Sequence, residues 1–244
     1  MGATVVVHAR NIERGQSAMT SFTETVPNGK FDLFVADFSD LAQVKKMGME
    51  IRQKYPALDV LINNAAIYSD ERKMSADNLE MTFQINYLSH FLLTRLLLDN
   101  IKKAEQGRII NVSSMVHQSA RLSLNNLQGE EYYDGYNAYS CSKLENILFT
   151  MNLAGELEGE KVTVNALHPG VIKTKLLRAA MGSSSLGSSV KEGAATSVYL
   201  ASAAEVENVT GKYFVNGRQS NPSRAALDKN LQKKIREISE VLTQ

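Results

Sequence analysis

The 244-residue chain predicts an α/β fold of the doubly wound kind, with one parallel sheet between two layers of helices. Two observations carry this expectation. Short β-branched runs alternate with longer amphipathic stretches, and the runs have the apolar, continuous character of strands buried on both faces. In chain order, strands are expected at 4–8 (Thr-Val-Val-Val-His), 31–36, 60–62, 108–112 (Arg-Ile-Ile-Asn-Val) and 162–166 (Val-Thr-Val-Asn-Ala). Helical patterns lie between them, at about 39–54, 75–105, 136–158 and 190–203. Ser189-x-x-Glu192 reads as a capping box opening the helix that starts at Val190, and the polar stretch from Gly182 to Ser189 before it reads as a flexible loop. Ser223, after Pro222, is expected to start a final helix running nearly to Gln244.

Composition narrows the function classes. The chain is 43% hydrophobic and 22% charged, with 27 Lys and Arg against 26 Asp and Glu, which is the balance of an ordinary globular protein. No Pro/Gly/Ser-rich linker divides it, so residues 1–244 are read as one domain. A formal net charge of +1 offers no gathered basic surface for nucleic acid, and the expected partner is a small molecule. The lone Cys141 permits no intramolecular disulfide, which points to a reducing, cytoplasmic setting. The longest apolar stretch, 91–98, is broken by Arg95 and falls short of the roughly 20 residues that span a bilayer. His8, His90, His117 and His168 show no metal-ligand spacing, so no metal is expected. Ser113 and Ser114 sit in Asn-Val-Ser-Ser-Met, which lacks the G-x-S-x-G elbow of a hydrolase. Cys141 reads as a small packing residue.

Chemistry is expected beyond the carboxyl ends of the strands. There the sequence places Asn63-Asn64-Ala65-Ala66, Ser113-Ser114 and then Tyr139-Ser-Cys-Ser-Lys143 at the opening of a helix. Residues four apart share a helix face, so the Lys143 ammonium can sit beside the Tyr139 phenol. A phenol with a pKa of about 10 is a poor acid or base near neutrality, and a neighbouring cation favours its phenolate. Tyr139 is thereby a candidate acid/base. A Tyr-x-x-x-Lys pair alone occurs by chance on exposed helices, and its context is what gives it weight.

That context is the order Asn-Asn-Ala-Ala, Ser-Ser, Tyr-x-x-x-Lys, then His168-Pro169-Gly170-Val171-Ile172-Lys173-Thr174, whose spacings resemble the short-chain dehydrogenase/reductase family from residue 2 to about 215. Tyr139-x-x-Ser142-Lys143-Leu144 with Leu167-His168-Pro169-Gly170 is most similar to the retinol dehydrogenase and carbonyl reductase branch. The resemblance implies a Rossmann-like fold and hydride transfer between a nicotinamide cofactor and a carbonyl/alcohol pair. It makes Tyr139 the proton donor or acceptor, with Ser114 hydrogen-bonded to the reacting oxygen and Ser113 as the alternative. Lys143 would lower the Tyr139 pKa and hold the nicotinamide ribose, and Asn86 would bind a water that extends the proton relay. The competing reading of Asn86 is a polar residue that kinks the long helix.

For the cofactor, the resemblance puts Asp37 and Phe38 at the adenine, Asn64 and Ala65 along the adenosine ribose, and Pro169, Gly170, Ile172 and Thr174 at the nicotinamide amide. Arg10 follows the first strand where NAD-dependent relatives carry an acid, and a guanidinium there would bind a 2′-phosphate, so NADP(H) is expected over NAD(H). The Leu, Met and Tyr content of 115–135, with the loop 175–189, implies an apolar carbonyl or alcohol substrate, a class that covers retinoids, steroids, lipid aldehydes and xenobiotic ketones alike. Family members often pair through the helices expected at 75–105 and 136–158, which would give a homodimer.

One departure stands out. Relatives begin with a strand and a glycine-rich turn that seats the pyrophosphate, whereas this chain opens at what resembles their second strand, about 30 residues later. Gly182 and Gly187 lie in a late loop and do not replace that turn. The absent strand is central, between those at 4–8 and 60–62, so the sheet is expected to split. The loss of apolar burial is on the order of 10 kcal/mol, comparable with a domain's net stability. Either a longer form exists, for which an N-terminal membrane anchor is conceivable, or the chain closes up differently. The rival to an enzyme is a catalytically inactive, cofactor-free relative acting through protein contacts.

Overall fold

β1 (Thr4–Ala9) and β2 (Lys30–Val35) pair in parallel, Thr4 opposite Lys30 through Ala9 opposite Val35, and form a two-stranded sheet of their own. The other five strands form a second sheet in the order β3 (Val60–Asn63), β4 (Gly107–Val112), β5 (Val162–His168), β6 (Lys212–Val215) and β7 (Arg218–Ser220). β3 to β6 run parallel and β7 is antiparallel. The computed structural model describes residues 2–174, 176–178 and 187–244, so most of the loop expected at 182–189 lies outside the described residues.

The sheet is split as expected, with β1 and β3 each left as an edge. Val5, Val35 and Ile62 are 45%, 41% and 41% exposed, unusual for β-branched residues in the strands of a doubly wound fold. Helices hold the two halves together. α1 (Ile12–Thr25) covers the small sheet, with Gly15 against Leu33. α2 (Leu41–Lys54) packs along α3, which consists of Met81–Phe83, a π turn at Gln84–Leu88, and Ser89–Lys102. Gly48 permits this approach, since a Cβ there would lie 2.8 Å from Leu96 Cδ1. Polar bonds lock the junction: Asn100 Nδ2 donates to the carbonyls of Arg52 and Tyr55, and Ser89 Oγ donates to the carbonyl of Phe38.

α4 (Gly135–Glu156) lies against β4 and β5, and its first residue approaches the 69–70 backbone so closely that a Cβ at Gly135 would sit 2.3 Å from the Ser69 carbonyl oxygen. α5 (Val190–Ser202) starts on the expected capping box, Ser189 and Glu192 each bonding the other's backbone. The final helix departs from expectation. Ser223 opens only a short 3-10 turn at Ala225–Leu227, and Asp228 caps α6 (Lys229–Leu242) by accepting from Asn230 N and Leu231 N. A carboxylate with two N–H donors is a stronger cap than a hydroxyl with one long contact, so the helix starts there. α6 packs on α3 and α4: its Ser239 Oγ meets the buried Tyr87 hydroxyl of α3 at 2.7 Å, and Ile235 is buried against the core.

Candidate active site

The expected residues lie just beyond the carboxyl ends of the strands. Ser113 and Ser114 follow β4, Pro169 and Gly170 follow β5, Asn64 and Ala65 follow β3, and Arg10 follows β1. Phe38, past β2, reaches the same region through its ring against His90 of α3.

Ser113 and Ser114 divide their work. Ser113 is buried and its Oγ donates to the Lys143 carbonyl at 2.6 Å, fastening β4 to α4. Ser114 is half-buried, and its Oγ accepts only a long contact from Val116 N at 3.4 Å, so its hydrogen remains available. The Ser114 carbonyl is held by His117 Nδ1 at 2.6 Å, while His117 Nε2 accepts from Ser223 N. That acceptor role puts the ring proton on Nδ1 and makes it the donor to Ser114.

Lys143 is fully buried and donates to the Val112 carbonyl at 3.1 Å, with its Nζ 5.5 Å from the centre of the Tyr139 ring. Tyr68 stands edge-on to the same ring at 5.9 Å. Burial pushes the Tyr139 phenol up to about 12 and the Lys143 ammonium down to about 8. This differs from the expected lowering of Tyr139: the cation lies over the ring, desolvation governs both groups, and it favours the neutral form of each. Because the Lys143 pKa falls from 10.5, the folded chain is penalised where the lysine is charged, fully below about pH 8, and the penalty is relieved as pH rises toward 10.5. The stability difference between the chain and a Lys143→Met variant should therefore shift in favour of the former by on the order of 3 kcal/mol over that window. Chemical unfolding of both at matched pH values checks this, and a flat difference would count against a strongly desolvated ammonium.

Asn86 lies in the π turn of α3. Its amide is engaged: Oδ1 accepts from Ile67 N, and Nδ2 donates to the Ile67 carbonyl and to Ser142 Oγ. The side chain thus latches the 67 segment to α3 and α4, so a water at Asn86, as expected, would meet its backbone. What is left for one is the Asn86 carbonyl, which already accepts from Asn146 Nδ2 and has a second lone pair.

At the other end, Arg10 is exposed and makes no ion pair among the described residues. Asp37 Oδ1 accepts from both Ser39 N and Ser39 Oγ, leaving Oδ2 open. Phe38 corrects its assignment: the ring is 5% exposed and stacked on His8 at 4.1 Å, so the core claims it, and with its carbonyl accepting from Ser89 Oγ and Gln84 Nε2 only the backbone N–H remains for an adenine. Asn64 is exposed and Ala65 half-buried. Gly170 has a φ of +96°, which suits glycine. Ile172 packs its side chain on Gly193 of α5, and Thr174 Oγ1 accepts from Leu177 N. Residue 175 and residues 179–186 of the expected substrate loop lie outside the described residues.

A nicotinamide dinucleotide fits the inner end of this site. A buried ammonium with three donors and one partner, Val112 O, has two N–H groups left, which matches a ribose diol. For the pyrophosphate, the described residues offer no glycine-rich turn between a strand and a helix. The arrangement is that of an α/β oxidoreductase with a phenol, a hydroxyl and an ammonium at the carboxyl end of its sheet.

Comparison with known proteins agrees. Residues 1–185 match the family model described as short chain dehydrogenase, and the chain belongs to that family. Within it the chain is similar to retinol dehydrogenase 14 of Homo sapiens, at 37% identity covering 99% of this chain and 79% of that one, and to retinol dehydrogenase 13 of Mus musculus, at 36% identity covering 96% and 74%. These place it in the retinol dehydrogenase branch. A crystal structure from Mycobacterium paratuberculosis superposes with a TM-score of 0.80 at 30% identity, covering 99% of this chain and 84% of that one. A short chain dehydrogenase from Shigella flexneri complexed with NADP shares the fold, with a TM-score of 0.70 at 22% identity over 89% and 87%. No helix among the described residues is long and apolar enough to cross a membrane.

Proposed function

We propose that the chain transfers hydride between NADP(H) and the carbonyl or alcohol of an apolar small molecule. The observation that carries this reading is Lys143, a buried ammonium with two unmet donors, lying against the ring of Tyr139. The nicotinamide, when bound, supplies or accepts the hydride. Tyr139, kept as the phenol by burial, gives its proton to the carbonyl oxygen in reduction and takes it back in oxidation. Ser114 donates from its open hydroxyl to the same oxygen and stabilises charge as it develops there. Lys143 donates to the ribose hydroxyls and holds the tyrosine, and the Asn86 carbonyl offers a place for a water behind them. Asp37, the Phe38 backbone, Asn64 and Ala65 serve the adenosine, and Pro169, Gly170, Ile172 and Thr174 border the nicotinamide amide. Met115, Tyr136 and Val171, each at least half exposed beside these segments, suit an apolar substrate.

Arg10 sets the cofactor preference. Replacing it with Ala should weaken NADPH binding at least tenfold and leave NADH binding nearly unchanged, the difference a charge-assisted phosphate contact of about 1.5–3 kcal/mol makes. Titration of both cofactors against both proteins, followed by nicotinamide fluorescence and the unfolding midpoint, checks it. Equal losses for the two cofactors would remove the phosphate role.

The split sheet and the lack of a glycine-rich turn favour one other reading, a protein that folds without binding cofactor and acts through protein contacts. The same titration separates the two: a folded chain that takes up neither cofactor supports the second.

A further inference from the structure

On the α4 face away from Tyr139 and Lys143 lies a cavity of about 240 Å³, lined in part by residues 121–134 of the segment expected to serve the substrate. Its α4 wall is Ala138, Cys141 and Glu145, spaced by three and four residues, whereas Tyr139 and Lys143 face the other side of the helix. Glu145 is 1% exposed, lines the cavity, and has no hydrogen-bond partner at either carboxylate oxygen. Buried polar atoms are nearly always paired, and a buried carboxyl with two open oxygens calls for a donor. The facing wall carries Glu80, whose carboxylate is fixed by Thr82 N, Phe83 N and the Tyr133 hydroxyl. Asp134 and the tyrosines 132 and 133 complete the lining, and the one basic residue there, Arg121, is exposed and bonded to Asn137 through its backbone. Three acids against one base make the cavity cation-selective, and its aromatic rim suits an alkylammonium.

We propose that this cavity binds a small aliphatic amine, its ammonium on Glu145 and Glu80 and its alkyl chain against the tyrosines. Burial and the Glu80 charge push the Glu145 carboxyl well above the usual range, and an ammonium placed between the two carboxylates would offset both causes. The volume accommodates a chain of a few carbons.

The test uses the full 244-residue chain, titrated at constant ionic strength with 1,4-diaminobutane and butylamine, with butan-1-ol as the uncharged control, by calorimetry and thermal unfolding. Saturable binding of the amines with a raised unfolding midpoint, and none of the alcohol, is expected. Glu145→Gln keeps the shape of the side chain and should weaken amine binding at least tenfold, and Ala138→Leu should abolish it by filling the cavity. Absence of saturable binding overturns the proposal, as does binding that both variants retain. If amines do not bind and Glu145→Gln lowers the midpoint of the ligand-free chain, Arg121 or water is the partner of Glu145, and the proposal again fails.

Discussion

Tyr139→Phe should lower kcat by about a thousandfold while leaving the unfolding midpoint and NADPH affinity close to those of the parent chain. The substitution removes one oxygen from a ring that is packed edge-on to Tyr68 and lies under the Lys143 ammonium, so the packing partners stay in place. What is lost is the phenol beside Lys143, held by burial as a proton donor across the neutral range. General acid/base groups contribute about 10²–10⁴ in rate, and Ser114 cannot replace the proton because a serine hydroxyl is far less acidic. Single-turnover reduction of an apolar aldehyde by NADPH measures the effect directly. A variant that retains more than a tenth of the parent rate would place the proton elsewhere and sink the assignment.

Removal of residues 229–244 should cost about 5 kcal/mol or more and leave a chain that aggregates or self-associates. Ile235 alone contributes about 1.5–3 kcal/mol by burial, and the cut also strips partly buried Leu231 and Leu242 from the core. It leaves the Tyr87 hydroxyl, now paired with Ser239, buried without a partner, at about 1–3 kcal/mol. Against a net stability of about 5–15 kcal/mol for a domain, these losses are decisive. A graded version is Ile235→Ala, for which about 2–5 kcal/mol is expected. Thermal unfolding together with light scattering checks both. A truncated chain that stays monomeric and melts where the parent does would mean that α6 is not part of the core.

The alternation of strand and helix was legible because β-branched runs such as Thr4–Ala9 and Val162–His168 favour strands by residue type, whether the strand is half-exposed like the first or fully buried like the second. The i, i+4 spacing of Tyr139 and Lys143 and the capping box at Ser189 were legible for the same reason: both are local. α1 was missed because Ile12–Thr25 carries few apolar residues and three threonines, all of which bond the preceding turn instead of packing. β7 was missed because Arg-Gln-Ser has no strand pattern of its own. It pairs with β6 through a two-residue Asn216-Gly217 turn in which both φ values are positive, and that dipeptide was the available signal. The tertiary facts were beyond local reading: the π turn at Asn86, the core position of the Phe38 ring, the α6 cover over Tyr87, and the Tyr139 pKa, which depends on how deeply the pair is desolvated.

The split sheet bears on cofactor uptake through the population of a competent state. A two-stranded sheet with one helix is a marginal unit, and β1, α1 and β2 share no strand pairing with the larger sheet and meet it through α2, α3 and the Phe38 junction. Such a unit opens at lower free energy than the body around β4, β5 and α4, so amides of β1 and β2 exchange with solvent ahead of those in β4 and β5. Arg10 and Asp37 belong to this looser unit, while Tyr139, Lys143 and Ser114 sit on the firmer one. A dinucleotide touching both must find them docked, and its apparent affinity is its intrinsic affinity scaled by the docked fraction. Whatever raises that fraction tightens cofactor binding without touching a single residue at the hydride-transfer centre.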